Sequence, residues 1–192
     1  RCHAFEVGSF SRGKHGASQA VKLAALRPRD ARRPMSTNAA GRRLTCAACH
    51  DPHGVDTRKA AVEACLNCHA DPHSQSYQEP KHGRLFFQES GSRPSATTVS
   101  CATCHMPRAR LNDERNGRVV VNHNNSWTLL PRDRMVKEVC LACHDLEFSI
   151  DSIFDERLIQ NNFQGAPIKR HETLKMVEAE SRDEKNNMKK GN

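Results

Sequence analysis

Cys46-Ala47-Ala48-Cys49-His50-Asp51-Pro52-His53 is followed, after eleven residues, by Cys65-Leu66-Asn67-Cys68-His69-Ala70-Asp71-Pro72-His73. These are two copies of C-x-x-C-H, each trailed by Asp-Pro-His, and they sit nineteen positions apart. Further copies of the five-residue core follow at Cys101-Ala102-Thr103-Cys104-His105 and Cys140-Leu141-Ala142-Cys143-His144.

The spacing carries a chemistry. Two thiols three positions apart can add to the two vinyl groups on one edge of a haem, and the next residue must be a His that turns back to ligate the iron. The same cysteines also fit a zinc template, since Cys46, Cys49, Cys65 and Cys68 form C-x2-C-x15-C-x2-C. The His after every pair decides between them. Four thiolates around zinc leave it no role, and with 11 His in 192 residues four out of four by chance is about one in 10⁵.

Arg1-Cys2-His3 reads as the end of a fifth C-x-x-C-H whose first Cys lies upstream. Nine cysteines fit this, because four pairs leave one over and the leftover is directly followed by His. The expectation is therefore an N-terminally truncated multihaem cytochrome c domain over residues 1–144, with five haems c. Its thioether positions are Cys2, Cys46, Cys49, Cys65, Cys68, Cys101, Cys104, Cys140 and Cys143.

Composition points the same way. Hydrophobic residues are 36% and aromatics 5%, thin for building a core from side chains alone. Five porphyrins would supply the missing apolar mass, at about 38 residues each. The fold class expected is mainly α with extensive loops and little regular secondary structure, wrapped around a close-packed array of covalently bound haems. The longest apolar runs are far short of a membrane span. The formal charge of +8 is offset by cofactor charge, about −5 with all five irons ferric and about −10 reduced, so the Arg residues read as propionate partners and solvated surface. No nucleic-acid partner is expected.

Between the motifs the chain is rich in turn formers. Residues 4–45 contain Lys14-His15-Gly16, Pro28 and Pro34, with one short helix expected near Ala17 to Leu26. Lys81-His82-Gly83 repeats the first device, followed by Leu85-Phe86-Phe87 and a polar, turn-rich stretch from Ser90 to Ser100. A polar turn from Asn112 precedes a strand-like Val119-Val120-Val121, and Met135 to Cys140 reads as the helix delivering the last motif. Leu146, Ile150, Ile153, Phe154 and Leu158 recur at helical steps, which predicts one amphipathic helix over 145–160, within a segment 145–168, laid on the last haem. Gly165 and Pro167 should end it. Residues 169–192 alternate charges and read as a solvated helix or a disordered tail.

The histidines supply the iron ligands. His3, His50, His69, His105 and His144 follow cysteines and are the proximal set; His15, His53, His73, His82, His123 and His171 remain as distal candidates. Six for five irons predicts bis-His ligation at most or all of them. Two axial His on one iron have Cα atoms roughly 12–13 Å apart, whereas three residues span at most about 10 Å. His53 therefore cannot share an iron with His50, and His73 would have to be almost fully extended to share one with His69. Each Asp-Pro-His must reach a neighbouring haem. Met106 directly follows His105 and cannot fold back onto the same iron, and all-His ligation implies low potentials, mostly below zero against the hydrogen electrode.

Cys101-Ala102-Thr103-Cys104-His105-Met106-Pro107, then His123, then the motif at Cys140, resembles the C-terminal haem pattern of pentahaem ammonia-forming nitrite reductases. Lys81-His82-Gly83 ahead of C-x-x-C-H-Met resembles the octahaem hydroxylamine oxidoreductase group. Together these cover roughly residues 80 to 150. The nitrite reductases carry Lys in the motif of their catalytic haem, and no C-x-x-C-K occurs here. In the octahaem group the catalytic haem is the fourth of eight, the position that the Cys2-His3 motif takes when five are counted from the C-terminus.

Three functions are compatible with this reading. The first is a non-catalytic electron carrier passing electrons between redox partner proteins. The second is the C-terminal electron-transfer part of a nitrite- or hydroxylamine-converting oxidoreductase. The third is a homo-oligomeric, polymerising cytochrome filament, with a surplus His such as His171 or His15 ligating a haem of the next subunit. Haem attachment of this type places the protein in the periplasm or outside the cell.

Overall fold

In a computed structural model, residues 3–54, 56–89, 95, 98–111 and 117–190 are described, with side chains up to residue 182. Cys2 lies outside the described residues, as do the polar turn 112–116 and most of the 90–100 stretch. About half of the chain is helical, in short pieces joined by loops. The helices are α1 (Ala4–Arg12), α2 (Ala17–Ala20), α3 (Thr57–Ala61), α4 (Glu63–Leu66), α5 (Pro72–Gln75), α6 (Lys81–Gln88), α7 (Cys101–His105), α8 (Asp133–Glu138), α9 (Leu146–Phe154), α10 (Glu156–Gln160) and α11 (Glu172–Lys190). Among the described residues the strands are β1 (Arg108–Arg110) and β2 (Val119–Val121), an antiparallel pair with Arg108 opposite Val121. No helix among these residues is long and apolar enough to cross a membrane.

Side chains alone make little core. One buried cluster joins Ala61 and Val62 at the α3–α4 junction to Tyr77 and Phe86. A second joins Met135 and Val136 of α8 to Ile153 of α9. The chain exposes 13,332 Å², where a monomer of 21.5 kDa packed in the usual way exposes roughly 9,200 Å². Apolar side chains contribute to this surface, with Val21, Leu23, Leu130, Leu141, Leu146 and Phe154 all open.

Local rules explain several boundaries, and they correct four expectations. Residues 145–160 do not form one helix. Asp145 caps α9 by accepting from the Phe148 N–H at 2.8 Å, and Asp155 restarts the chain as α10 by accepting from Arg157 and Leu158. A second Asx cap inside the apolar repeat competes with helix continuation and wins. Gly165 and Pro167 do not make the stop, because two consecutive left-handed residues, Asn162 (φ 55°) and Phe163 (φ 63°), end α10 first. The helix delivering the last motif stops at Glu138, and after Val139 the chain tightens into a 3-10 turn over Cys140–Ala142. Near the N-terminus the expected helix is only α2, and the larger helix is α1, whose Gly8 and three hydroxyl or small positions hid it from the apolar periodicity.

Long-range hydrogen bonds fold the loops back onto the motifs. Ser36 N–H donates to the Cys68 carbonyl (2.8 Å) and Ala70 N–H to the Pro34 carbonyl (3.1 Å), pinning the first loop along the second motif. His123 N–H donates to Ser9 Oγ (3.0 Å) and His15 N–H to Asn125 Oδ1 (3.4 Å), locking α1 and the residues after it against the loop following β2. Thr128 Oγ1 donates to the Cys104 carbonyl (2.8 Å), and Tyr77 Oη to the Val99 carbonyl (2.8 Å), holding the third motif on both sides.

Candidate functional site

Each C-x-x-C-H forms a single helical turn. His50, His69 and His144 N–H groups each donate to the carbonyl of the first Cys of their motif at 2.9 Å, and the third motif is α7 itself. Ser100 starts α7 through a reciprocal cap, accepting from Thr103 N–H (3.1 Å) while its own N–H donates to Thr103 Oγ1 (3.0 Å). One turn brings the first Cys and the His, four positions apart, onto one face. The eight described thiols are unbonded to one another.

The motifs neighbour one another in chain order. Cys49 lies near Cys65 and Cys68, Cys65 near Cys101, and Cys104 near Cys140. Burial pushes the Cys49 thiol up to about 11 and the Cys104 thiol up to about 12, with the neighbouring thiols adding to it. Binding zinc or entering thiol exchange would require both thiols to lose a proton, which burial opposes. Among the described residues no three His, Cys, Asp or Glu side chains converge on one ion position.

What the fold builds instead is pairs of imidazoles. His69 faces His15 with ring centroids 6.2 Å apart, and His50 faces His123 at 6.1 Å. His105 faces His73 at 6.1 Å, and His144 faces His82 at 6.1 Å. Every pair joins one motif His to one His from elsewhere in the chain. Edge-to-face rings such as Tyr77 and Phe87 also lie 6.1 Å apart, but for two imidazoles the separation has a further equivalent. A metal bound by two imidazole nitrogens at about 2.0 Å each, with each ring centre about 1.1 Å behind its nitrogen, sets the centroids roughly 6.2 Å apart. A haem iron takes four nitrogens from the porphyrin, so two protein ligands complete it, and these pairs fit that demand.

In every pair, burial disfavours the charged form of at least one imidazole. His15 is held down at about 4 by burial and then by His69, and His105 at about 4 by burial and then by His73. His50, His69 and His82 are lowered as well, in each case first by burial. The neutral imidazole is the ligand form. The second ring nitrogens find partners: His123 Nδ1 donates to the Val121 carbonyl (2.9 Å), His73 Nδ1 to the Ile159 carbonyl (2.5 Å) while its Nε2 accepts from Asn162 Nδ2 (3.3 Å), and Asp71 Oδ2 lies 3.7 Å from His69 Nδ1.

The two Asp-Pro-His copies behave differently. Asp71 caps α5, accepting from Ser74 N–H at 3.3 Å, and Pro72 opens that helix, which delivers His73 to His105 rather than back to His69. Asp51 closes a tight turn by accepting from His53 N–H (2.9 Å), and His53 is exposed. His171 stacks on Phe154 with centroids 4.3 Å apart, and its N–H donates to Asp151 Oδ1. His3 is exposed at the start of α1 and close enough to His50 to lower it. Of the six distal candidates, His15, His73, His82 and His123 meet a motif His; His53 and His171 meet none among the described residues.

The two Lys-His-Gly copies share a packing demand. A methyl group at Gly16 would run into the Phe10 carbonyl, and one at Gly83 into the Tyr77 carbonyl. In both, only a glycine lets the backbone beside the distal His pass this close. The supporting residues Ser9, Tyr77, Thr128 and Asn162 carry no pattern that the sequence could have flagged. Comparison with protein-family models, with curated proteins and with solved structures returns no match.

Proposed function

We propose that this chain is the haem-bearing part of a multihaem c-type cytochrome that carries electrons between redox partner proteins outside the cytoplasm. Bound haem iron supplies reversible one-electron storage. The chain's own residues do the rest. Cys46 and Cys49, Cys65 and Cys68, Cys101 and Cys104, and Cys140 and Cys143 would hold four haems c covalently, with Cys2 and His3 contributing to a fifth. His50 with His123, His69 with His15, His105 with His73, and His144 with His82 would ligate the four irons on both faces.

The observation that carries this reading is the repeated 6.1–6.2 Å separation between a motif His and a partner drawn from a distant loop. Two imidazoles would take both positions that a porphyrin leaves open, so these four irons would offer no site for a substrate, which favours a carrier; a nitrite- or hydroxylamine-converting enzyme would have to use the fifth, at Cys2-His3. Ligands drawn from other segments tie each motif to a neighbouring part of the chain. That bracing suppresses reorganisation on electron transfer. The shortage of side-chain core and the exposed apolar side chains agree with cofactors forming most of the interior.

The test is a spectrum of the purified full-length protein, with covalent haem per chain counted by pyridine haemochrome. The carrier reading expects wholly low-spin iron, unaltered by nitrite or hydroxylamine. A high-spin fraction with turnover of either compound would overturn it in favour of the enzyme.

A further inference from the structure

The His73–His105 pair differs from the others in orientation and in what supports it. Its ring planes stand at 88°, against 32° for His15–His69, 49° for His50–His123 and 63° for His82–His144. His73 is also gripped by a segment almost ninety positions further along. Its Nδ1 donates to the Ile159 carbonyl at the end of α10. Asn162 Nδ2 donates to the His73 carbonyl (2.9 Å) and lies 3.3 Å from His73 Nε2, a contact that a metal on that nitrogen would replace. The Phe163 ring meets His73 edge-on with centroids 6.2 Å apart.

The gripping segment is strained. Asn162 and Phe163 are consecutive non-glycine residues in the left-handed region, at φ 55° and 63°. Asn tolerates that region and Phe does so rarely. Asn162 is 8% exposed, and Phe163 N–H closes the turn onto the Leu158 carbonyl at 2.6 Å. The strain is kept in a buried turn whose amide bonds the His73 carbonyl and whose Phe163 ring meets the His73 imidazole.

We infer that Asn162, with the left-handed turn it forms with Phe163, is a positioning residue that holds His73 perpendicular to His105 and so gives one iron of the array a distinct electronic state. The inference rests on the haem reading of the paired histidines. Perpendicular imidazole planes leave the two upper ferric d orbitals nearly degenerate, because each ring raises a different one. Nearly parallel planes raise the same one and split them. A single-electron vacancy shared between near-degenerate orbitals gives a highly anisotropic low-spin signal, whereas split orbitals give an ordinary rhombic one. The Nδ1–H bond to a carbonyl also makes His73 a stronger donor.

Frozen-solution electron paramagnetic resonance of the oxidised holoprotein tests this. The wild-type spectrum should contain a large-gmax signal beside rhombic ones, and His73→Met should abolish that signal while leaving the rhombic ones in place. Asn162→Gly keeps the left-handed backbone and removes the amide, and should move the large-gmax signal toward a rhombic one with haem content unchanged. A wild-type spectrum of rhombic signals alone, or an Asn162→Gly spectrum identical to wild type, would overturn the inference while leaving the haem reading intact. Absence of covalent haem from the purified protein would instead remove the reading beneath it.

Discussion

His73 and His105 face each other across 6.1 Å with their ring planes at 88°, although 32 positions separate them and another His stands closer to His73 in the chain. The meeting of the two residues, as distinct from the angle of their rings, comes from one helix cap. Asp71 accepts from the backbone of Ser74, Pro72 sets the first helical φ, and α5 carries His73 away from His69 toward the next motif. Each motif is thereby completed from a different part of the chain.

Gly83 should not tolerate a side chain. A Cβ there collides with the Tyr77 carbonyl, and backbone cannot rotate away as a side chain can. Gly83→Ala is expected to cost roughly 1–3 kcal/mol and to displace His82 from His144, seen as a lowered melting temperature and a high-spin component. Gly41→Ala, whose added methyl meets nothing within 4 Å, should leave both unchanged.

Ser9 is fully buried and accepts from the His123 N–H at 3.0 Å while donating to the Glu6 carbonyl. Ser9→Ala leaves the N–H of half-buried His123 without this partner, at a cost of up to about 1–3 kcal/mol. Denaturant unfolding should show that loss. The His50–His123 pair should loosen, which would appear as a change in one low-spin signal out of several.

Acid should weaken the fold through the paired histidines. His15 and His105 sit at about 4 in the folded chain against an ordinary value of 6.5. Above pH 6.5 both folded and unfolded chains hold them neutral. As pH falls from 6.5 toward 4 the unfolded chain takes up protons that the folded chain refuses, so stability falls through that window, by at most about 3 kcal/mol per group. Denaturant titrations of the haem-free chain at pH 7, 5.5 and 4 should record the decline, and a flat profile would contradict it.

All-imidazole ligation implies that most midpoint potentials lie below zero against the hydrogen electrode. Met106 ends α7 directly after His105, where it has no route to the iron that His105 would serve. Met106→Leu is therefore expected to leave a spectroelectrochemical titration unchanged. A single haem whose potential falls sharply in that variant would make Met106 a ligand after all.

The local half of this architecture was legible in the residues. C-x-x-C-H fixes a single turn because the thiols and the imidazole must share a face, and chain reach excludes His50 with His53. The pairings of His15, His82 and His123 were not legible. They depend on how loops return, and those returns are made by Ser9, Asn125 and the backbone at Pro34 and Ser36, none of which stands out by type or spacing. The break at Asp155 was hidden for a similar reason. The apolar repeat runs through it, and an Asx cap outcompeted one more turn of helix.

The most direct test of the account is to substitute His15, His73, His82 and His123 by Met, one at a time, and to measure covalent haem and spin state on each purified protein. Each variant should keep its full haem complement and lose bis-His ligation at one iron, while His171→Ala, whose ring lies on Phe154, changes neither. Four variants with spectra identical to wild type, or a wild-type protein carrying no covalent haem, would contradict the account.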